Sequence, residues 1–428
     1  MIRSFSVRIA RLCALVLCAL ALEISESVSN RLVAQTSYFD ENALRRHVEL
    51  LASDSLKGRG TGTEDERKAA EYIAAHFRSL GLEPKGDNGT YFQTFHLIKK
   101  NDVLPDSNRA ARNVVALLNN GAARTIVVGA HYDHLGLGYD GSSLDPQPKG
   151  KIHNGADDNA SGVAGVLEVA RRLASNGAKE PVNYLFLCFS GEELGLLGSK
   201  HFADNPTIPL ETVQCMVNFD MIGRLDAAKK SLLLGGVGTS PVFVPFLDSL
   251  AKTPEFRERF VISFDSAGVG PSDHTSFYLK KIPVLFFFTG SHSDYHKPTD
   301  DADKINYGGM TAVLSFASRA LEYLERQPAL TFATTRAPVQ TGHSYKVSLG
   351  VMPSYSFDGE GLKLDAVTEG RPAAKAGIKG GDVIIQIGER KIATIQDYMK
   401  ALSALKAGDT PRVKVLRDGA EMEFVVGL

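Results

Sequence analysis

The chain has no tryptophan, only four cysteines and seven methionines among its 428 residues, and no apolar run of the roughly 20 residues that a spanning helix requires. Each scarcity excludes something. Four cysteines cannot make a disulfide scaffold, so a chain of this length must be held by packed cores. A net charge of −1, from 48 Lys+Arg against 49 Asp+Glu, gives no overall field to attract nucleic acid or an anionic membrane. What is present is ordinary globular composition, 43% hydrophobic and 23% charged, enough for two to three domains.

The near-zero total is a sum of unequal parts. Residues 1–34 hold four Arg and two Glu, and residues 335–428 hold 13 Lys+Arg against 11 Asp+Glu. Residues 35–334 are left with 31 basic and 36 acidic side chains, an acidic excess that suits a domain taking up metal cations. At the N-terminus, Arg3, Arg8 and Arg11 precede an apolar run from Leu12 to Leu22 and then a polar stretch, the order of a secretory signal. Residues 1–34 are therefore expected to be a signal peptide, making the chain exported, periplasmic or secreted, with no stable membrane span. Cys18 follows Leu15-Val16-Leu17, a poor lipoprotein box. Cys188 and Cys215 lie inside apolar runs and are expected to be buried thiols.

The hydrophobic pattern predicts helices over 41–53 and from Thr63, an N-cap with Glu66 three residues on, to Gly81. Continuous apolar strands at 113–118, 125–130, 184–189, 214–219 and 283–288 alternate with helices at 162–174, 194–203, 241–252 and 309–326. That alternation predicts an α/β domain over 35–330, a mostly parallel sheet sandwiched by helices. A Thr/Ala/Pro-containing connector at 331–341 leads to a small β-rich module at 342–428 with one clear helix at 395–405.

The chemistry gathers where strands end. His131-Tyr132-Asp133, Gly155-Ala156-Asp157-Asp158-Asn159, Ser190-Gly191-Glu192-Glu193, Asp220 and Asp294-Tyr295-His296 each follow an apolar strand or open a helix. In an open parallel sheet, ligands bind beyond the carboxyl ends of the strands. Two imidazoles with several carboxylates and no thiolate suit a zinc-type ion, with Mn or Co as substitutes. One carboxylate can bridge two ions, and a water between them becomes a nucleophile near neutral pH. Of two adjacent Glu, one can ligate while the other takes the water's proton. Asp133 is placed to accept the His131 imidazole N–H.

In order and strand context these segments resemble the co-catalytic zinc aminopeptidases, the family of bacterial leucyl aminopeptidase and aminopeptidase Y. The similarity covers roughly residues 41–326, including LASDSLKGRGTG at 51–62. The resemblance implies two Zn2+ per chain. His131 and Asp220 would serve one ion, Glu193 and His296 the other, with Asp157 as the bridging carboxylate. Glu192 would be the general base and Asp133 the group orienting His131. Asp273, in the SDHTSF segment, would shape the substrate pocket. His134, His153, His274 and His292 are not expected to ligate. Asp158 is expected to cap the following helix, and Asp300, Asp301 and Asp303 to form an exposed acidic turn. Glutaminyl cyclases of this clan retain a single zinc, so a complete ligand set favours hydrolysis.

Downstream, Ser348-Leu349-Gly350-Val351, AAKAGIKGGD at 373–382 and Val383-Ile384-Ile385 resemble a PDZ domain of the circularly permuted type found on bacterial exported proteases. The resemblance implies a Ser348–Val351 loop whose N–H groups hold a peptide or protein C-terminus and a strand open to β-addition, with helix 395–405 lining the groove. The resulting expectation is an exported di-zinc aminopeptidase acting on peptides. Its rivals are a carboxypeptidase or non-peptide amidohydrolase of the same clan, and an inactive scaffold that binds peptides through the PDZ module.

Overall fold

A computed structural model describes residues 39–97, 109–139, 142–335, 347–353, 359–367, 370–393 and 395–428. The expected signal segment and most of the connector lie outside these residues.

The chain begins with α1 (Glu41–Leu51), which buries Leu44, His47, Val48 and Leu51, and α2 (Glu64–Ser79). Thr63 caps α2 by accepting the Glu66 N–H at 3.2 Å, while the Glu66 carboxylate turns back onto the N–H of Gly62 at 2.6 Å. The capping box thus closes one residue early and ties the helix to the loop before it. Strands β1 (Glu83–Pro84), β2 (Phe92–His96), β3 (Ala110–Leu118) and β4 (Thr125–His131) follow, then α3 (Gly162–Ser175), β5 (Asn183–Phe189), α4 (Leu197–Asp204) and β6 (Val213–Phe219). After β7 (Ser231–Gly235), α5 (Phe243–Ala251), β8 (Val261–Phe264), α6 (His274–Leu279) and β9 (Val284–Phe288), α7 (Tyr307–Leu324) completes the unit.

The strands form one sheet in the order β1-β3-β5-β4-β6-β9-β7-β8, with β2 also on β3. The pairs β4–β5, β4–β6 and β6–β9 are parallel, whereas β3–β5 and β7–β9 are antiparallel. The sheet is therefore mixed, with a parallel centre whose strands are buried almost throughout. The apolar runs predict these four strands and also β3, which pairs antiparallel with β5. The additions, β1, β2, β7 and β8, lie toward the antiparallel flanks, where runs are short or partly exposed. Because β4 sits between β5 and β6, and Cys188 stands opposite its Ala130 but Cys215 opposite its Ile126, the two cysteines are farther apart than two strand spacings (about 9–10 Å), too far for a disulfide. Both thiols are free and buried, and burial pushes the Cys215 thiol up to about 12.

The C-terminal residues form a separate antiparallel sheet, β10 (Val351–Pro353), β11 (Leu362–Val367), β12 (Val383–Ile387), β13 (Arg390–Lys391), β14 (Arg412–Arg417) and β15 (Ala420–Val425), in the order β10-β11-β12-β14-β15. Two helices accompany it, α8 (Pro372–Ala376) and α9 (Ile395–Ser403). Its core is apolar, built on Leu349, Leu364, Ile384, Val413 and Val415.

Candidate metal centre

Because β4, β5, β6 and β9 run parallel, their C-terminal ends share one rim, and the residues after them meet there. His131 ends β4, and its Nε2 lies 3.3 Å from Asp158 Oδ1 and 3.5 Å from Asp220 Oδ1. Across the same carboxylate, His296 Nε2 lies 3.2 Å from Asp158 Oδ2 and 3.2 Å from Glu193 Oε2. Two ligand atoms about 2.0–2.1 Å from one tetrahedral ion sit about 3.3 Å apart. All four separations match that spacing. They are longer than charge-assisted hydrogen bonds, about 2.7–2.9 Å.

The imidazoles are oriented for the task. His131 Nδ1–H donates to the Asp133 carbonyl at 3.2 Å and His296 Nδ1–H to the Ser142 carbonyl at 2.9 Å, so both turn Nε2 inward. Burial opposes a proton on either ring. Even so, Glu192 and Asp220 hold His131 well above the usual imidazole range, and Glu193 and Asp158 do the same for His296. Cations at the two clusters would replace those protons. The donor set fits two divalent ions of zinc type.

Four expectations need correction. Asp157 does not bridge the clusters. Its Oδ1 accepts the Gly223 N–H at 2.7 Å and the Ser161 hydroxyl at 3.0 Å, and its Oδ2 faces His292 at 3.1 Å. It is Asp158 whose two oxygens face the two clusters, and it makes no helix cap, because the backbone kinks at Asp158 and Asn159 and turns that carboxylate to the rim. Asp300 is wholly buried rather than exposed, and its Oδ2 accepts the N–H groups of Asp157 and Asp158 at 2.9 and 3.0 Å. It therefore anchors the loop that presents Asp158. Asp303 is exposed as expected. Asp133 supports His131 through its carbonyl, its carboxylate lying 3.8 Å from the ring. That carboxylate accepts the Glu192 N–H at 3.1 Å and the Thr61 hydroxyl at 2.7 Å, so it positions Glu192 instead.

Glu192 opens on a cleft that it lines with His131, Asp158, Asp220 and His296; Met221, Phe286, Phe288 and Tyr295 supply an apolar wall. Burial holds its carboxyl well above the usual range, with His131 opposing. Asp273 is buried within electrostatic reach of Glu192, His131 and Asp220, its carboxyl raised by burial to about 7.

Arg59 carries no role in the sequence reading. Wholly buried, it donates to the carbonyls of Tyr132 at 2.8 Å, Asn154 at 2.7 Å and Gly155 at 3.0 Å, and also to that of Leu51. One guanidinium therefore ties together the loops carrying His131 and Asp158. Burial lowers it to about 10, against the pull of Asp158, Asp133 and Asp300. The signal was the hallmark segment 51–62, which contains both Arg59 and Thr61.

In the C-terminal sheet, Leu349 is buried and its carbonyl accepts the Ala373 N–H at 2.9 Å. The Ser348 hydroxyl accepts the Gly350 N–H at 3.1 Å. Gly350 has φ +72°, and a Cβ there would fall 2.3 Å from that of Arg371. Val351 opens β10, which stands at one end of the sheet.

Residues 113–321 match the family model described as Peptidase family M28, and residues 347–428 match that of the PDZ domain. A probable lipoprotein aminopeptidase of Mycobacterium tuberculosis, LpqL, is 27% identical over 62% of this chain and 55% of its own length. The chain thus spans about half of that relative. Among solved structures, a glutaminyl cyclase of Porphyromonas gingivalis superposes with a TM-score of 0.56 at 20% identity, over 67% of this chain and 98% of that one. A zinc aminopeptidase from Bacillus subtilis does so with a TM-score of 0.53 at 18% identity, over 69% and 98%. These two structures share the fold.

Proposed function

Because residues 113–321 belong to peptidase family M28 and residues 347–428 form a PDZ domain, we propose that this chain is an exported aminopeptidase working with two zinc ions and Glu192 as general base. The observation that carries the reading is the division of Asp158, one oxygen toward His131 and the other toward His296, beside Glu192 in the same cleft. His131, Asp158 and Asp220 would hold one ion, and His296, Asp158 and Glu193 the other. Bound there, the ions supply Lewis-acid polarisation of a scissile carbonyl and lower the pKa of water.

The chain's own residues do the rest. Asp133 fixes the Glu192 backbone, so its carboxylate stands where it takes a proton from the attacking water and passes it to the leaving amine. Met221, Phe286 and Phe288 receive an apolar N-terminal side chain, which makes leucine-like residues the preferred substrates. Asp273, buried within electrostatic reach of Glu192 and His131, shapes the pocket. In the PDZ domain, the Ser348–Val351 loop and the open edge of β10 receive a peptide C-terminus by strand addition.

The test is metal analysis of the full chain combined with a panel of aminoacyl anilides and N-blocked peptides. Hydrolysis confined to free-amine substrates with apolar first residues is expected. Cleavage of blocked peptides alone would replace aminopeptidase with carboxypeptidase or amidohydrolase. Cyclisation of N-terminal glutamine without hydrolysis would replace it with cyclase chemistry.

A further inference from the structure

His134 was set aside as a ligand, yet it is buried against the second cluster, with Nδ1 2.8 Å from Glu193 Oε1 and 3.8 Å from Asp158 Oδ2. We propose that His134 is the positioning residue of that cluster: its Nδ1–H holds Glu193 Oε1 and so leaves Oε2 to face His296 and Asp158. The inference rests on the two-ion reading above and adds a difference between the two ion positions.

Distance separates the two roles open to this imidazole. The contacts among the proposed ligands run from 3.2 to 3.5 Å, the spacing of atoms around one ion. The His134–Glu193 contact is shorter than any of them and has the length of a charge-assisted hydrogen bond. An ionised carboxylate only accepts, so Nδ1 carries the proton. Nε2 is buried and meets no hydrogen-bond partner among the described residues, so Glu193 is the group the ring serves.

The ring is held in place from two further directions. The His134 backbone N–H donates to the Arg59 carbonyl at 3.1 Å, within the bridge between Gly60 and His134. On its other side lies Gly155, where φ is +57° and a Cβ would fall 2.5 Å from ring atoms Cγ and Cδ2. The loop that presents Asp158 thus packs directly on the imidazole that aims Glu193. On the His131 side the matching support is the Asp133 carbonyl, which steadies the imidazole rather than the carboxylate. Because Glu193 serves only the second ion position, loss of the His134 hydrogen bond should be felt chiefly there.

The experiment is equilibrium dialysis of the full chain in buffered zinc with elemental analysis, repeated by following the visible bands of Co2+. Wild type, H134A and H134N are compared; the Asn amide N–H can occupy the place of Nδ1–H. In H134A one ion should bind as in wild type and the other about 10–100-fold more weakly, the usual effect of losing a group that orients a ligand. H134N should restore the wild-type isotherm and Co2+ spectrum. Equal weakening of both ions, no weakening at all, or failure of H134N to rescue would overturn the inference. A wild-type chain that takes up one ion would overturn the two-ion reading, while the contrast between H134A and H134N would still decide the role of His134.

Discussion

The two described regions bury charge in opposite ways. In the α/β unit, Asp133 and Asp300 are raised by burial to about 6 and Asp273 to about 7, with Arg59 the one guanidinium wholly buried among them. In the PDZ domain the one buried charged side chain among the described residues is Asp382, and Arg417 meets it in a fork at 2.7 Å on both oxygens. Its charge is balanced within the fold, and Arg417 holds the Asp382 carboxyl below its usual value against the cost of burial. The α/β unit instead carries an acidic excess that its own cations do not meet. The ions proposed above would offset that excess, whereas Asp382 is already met by Arg417.

The largest effect expected from this contrast is on turnover. E192Q removes one acid from the crowded rim without touching a proposed ligand, so kcat should fall about 10²- to 10⁴-fold while both ions stay bound. Steady-state kinetics on an apolar anilide with parallel metal analysis checks this. An unchanged kcat would remove Glu192 from the role of base.

Chelation comes next. Ions that bind only the folded state contribute about 4 kcal/mol at a thousandfold excess over Kd. Calorimetry of the full chain with and without chelator should show the α/β transition falling by several degrees and the PDZ transition unmoved. A shared shift would erase the distinction between the regions.

Substitution at neighbouring aspartates then asks which one joins the two clusters. D158N should weaken both ions by at least about a hundredfold, beyond the loss expected for a merely supporting group. D157N should leave both bound, since an amide oxygen can still accept the Gly223 N–H. The reverse pattern, read by dialysis, would restore the bridge to Asp157.

That pair also marks how much was legible. The parallel centre of the sheet was readable because a strand buried on both faces must be apolar throughout, as Val284–Phe288 is. The flanking strand Val261–Phe264, exposed at its first residue, offered no such run. At the rim, His131, Glu192, Glu193, Asp220 and His296 could be named because each follows a recognisable strand or the loop beyond it. Asp157 is taken for the bridge and Asp158 for a cap in the sequence, because the choice rests on backbone angles after Gly155 that residue type does not show. Asp300 looked like part of a solvated turn because three nearby acids usually are one. Only the fold reveals that two N–H groups of another loop meet its carboxylate. The supporting layer, Arg59 and His134 included, acts through backbone carbonyls and a single ring nitrogen, and neither leaves a spacing that a sequence displays.

The smallest effect is on pH, and its sign should differ between the regions and between loaded and stripped chains. Carboxyls such as Asp133 and Asp300, near 6 when folded against 3.8 unfolded, bind protons in the native state first. Between pH 6 and 4 their protonation stabilises the ion-free fold, and that contribution is lost as pH rises through 6. Asp273 adds to it from about 7. His76 works against them: buried and lowered to about 4, it leaves the unfolded chain to take the proton below 6.5. His274, lowered to about 3, acts in the same direction. His153 and His201 are also lowered, but the raised carboxyls, Glu66, Glu192 and Asp220 among them, outnumber these imidazoles, so the stripped α/β unit should be more stable near pH 5 than near pH 8, by on the order of 1 kcal/mol. With ions bound the slope should reverse, since protons then compete for His131 and His296. The PDZ domain should be flat over this range, because Asp382 contributes above 3.8 and that stability is lost only as pH falls through its lower folded value. Melting curves at pH 5 and 8, with and without chelator, would test all three slopes. A stripped α/β unit that loses stability on acidification would mean that its buried carboxyls are already neutralised by contacts within the fold, and the contrast with the PDZ domain would then be one of degree.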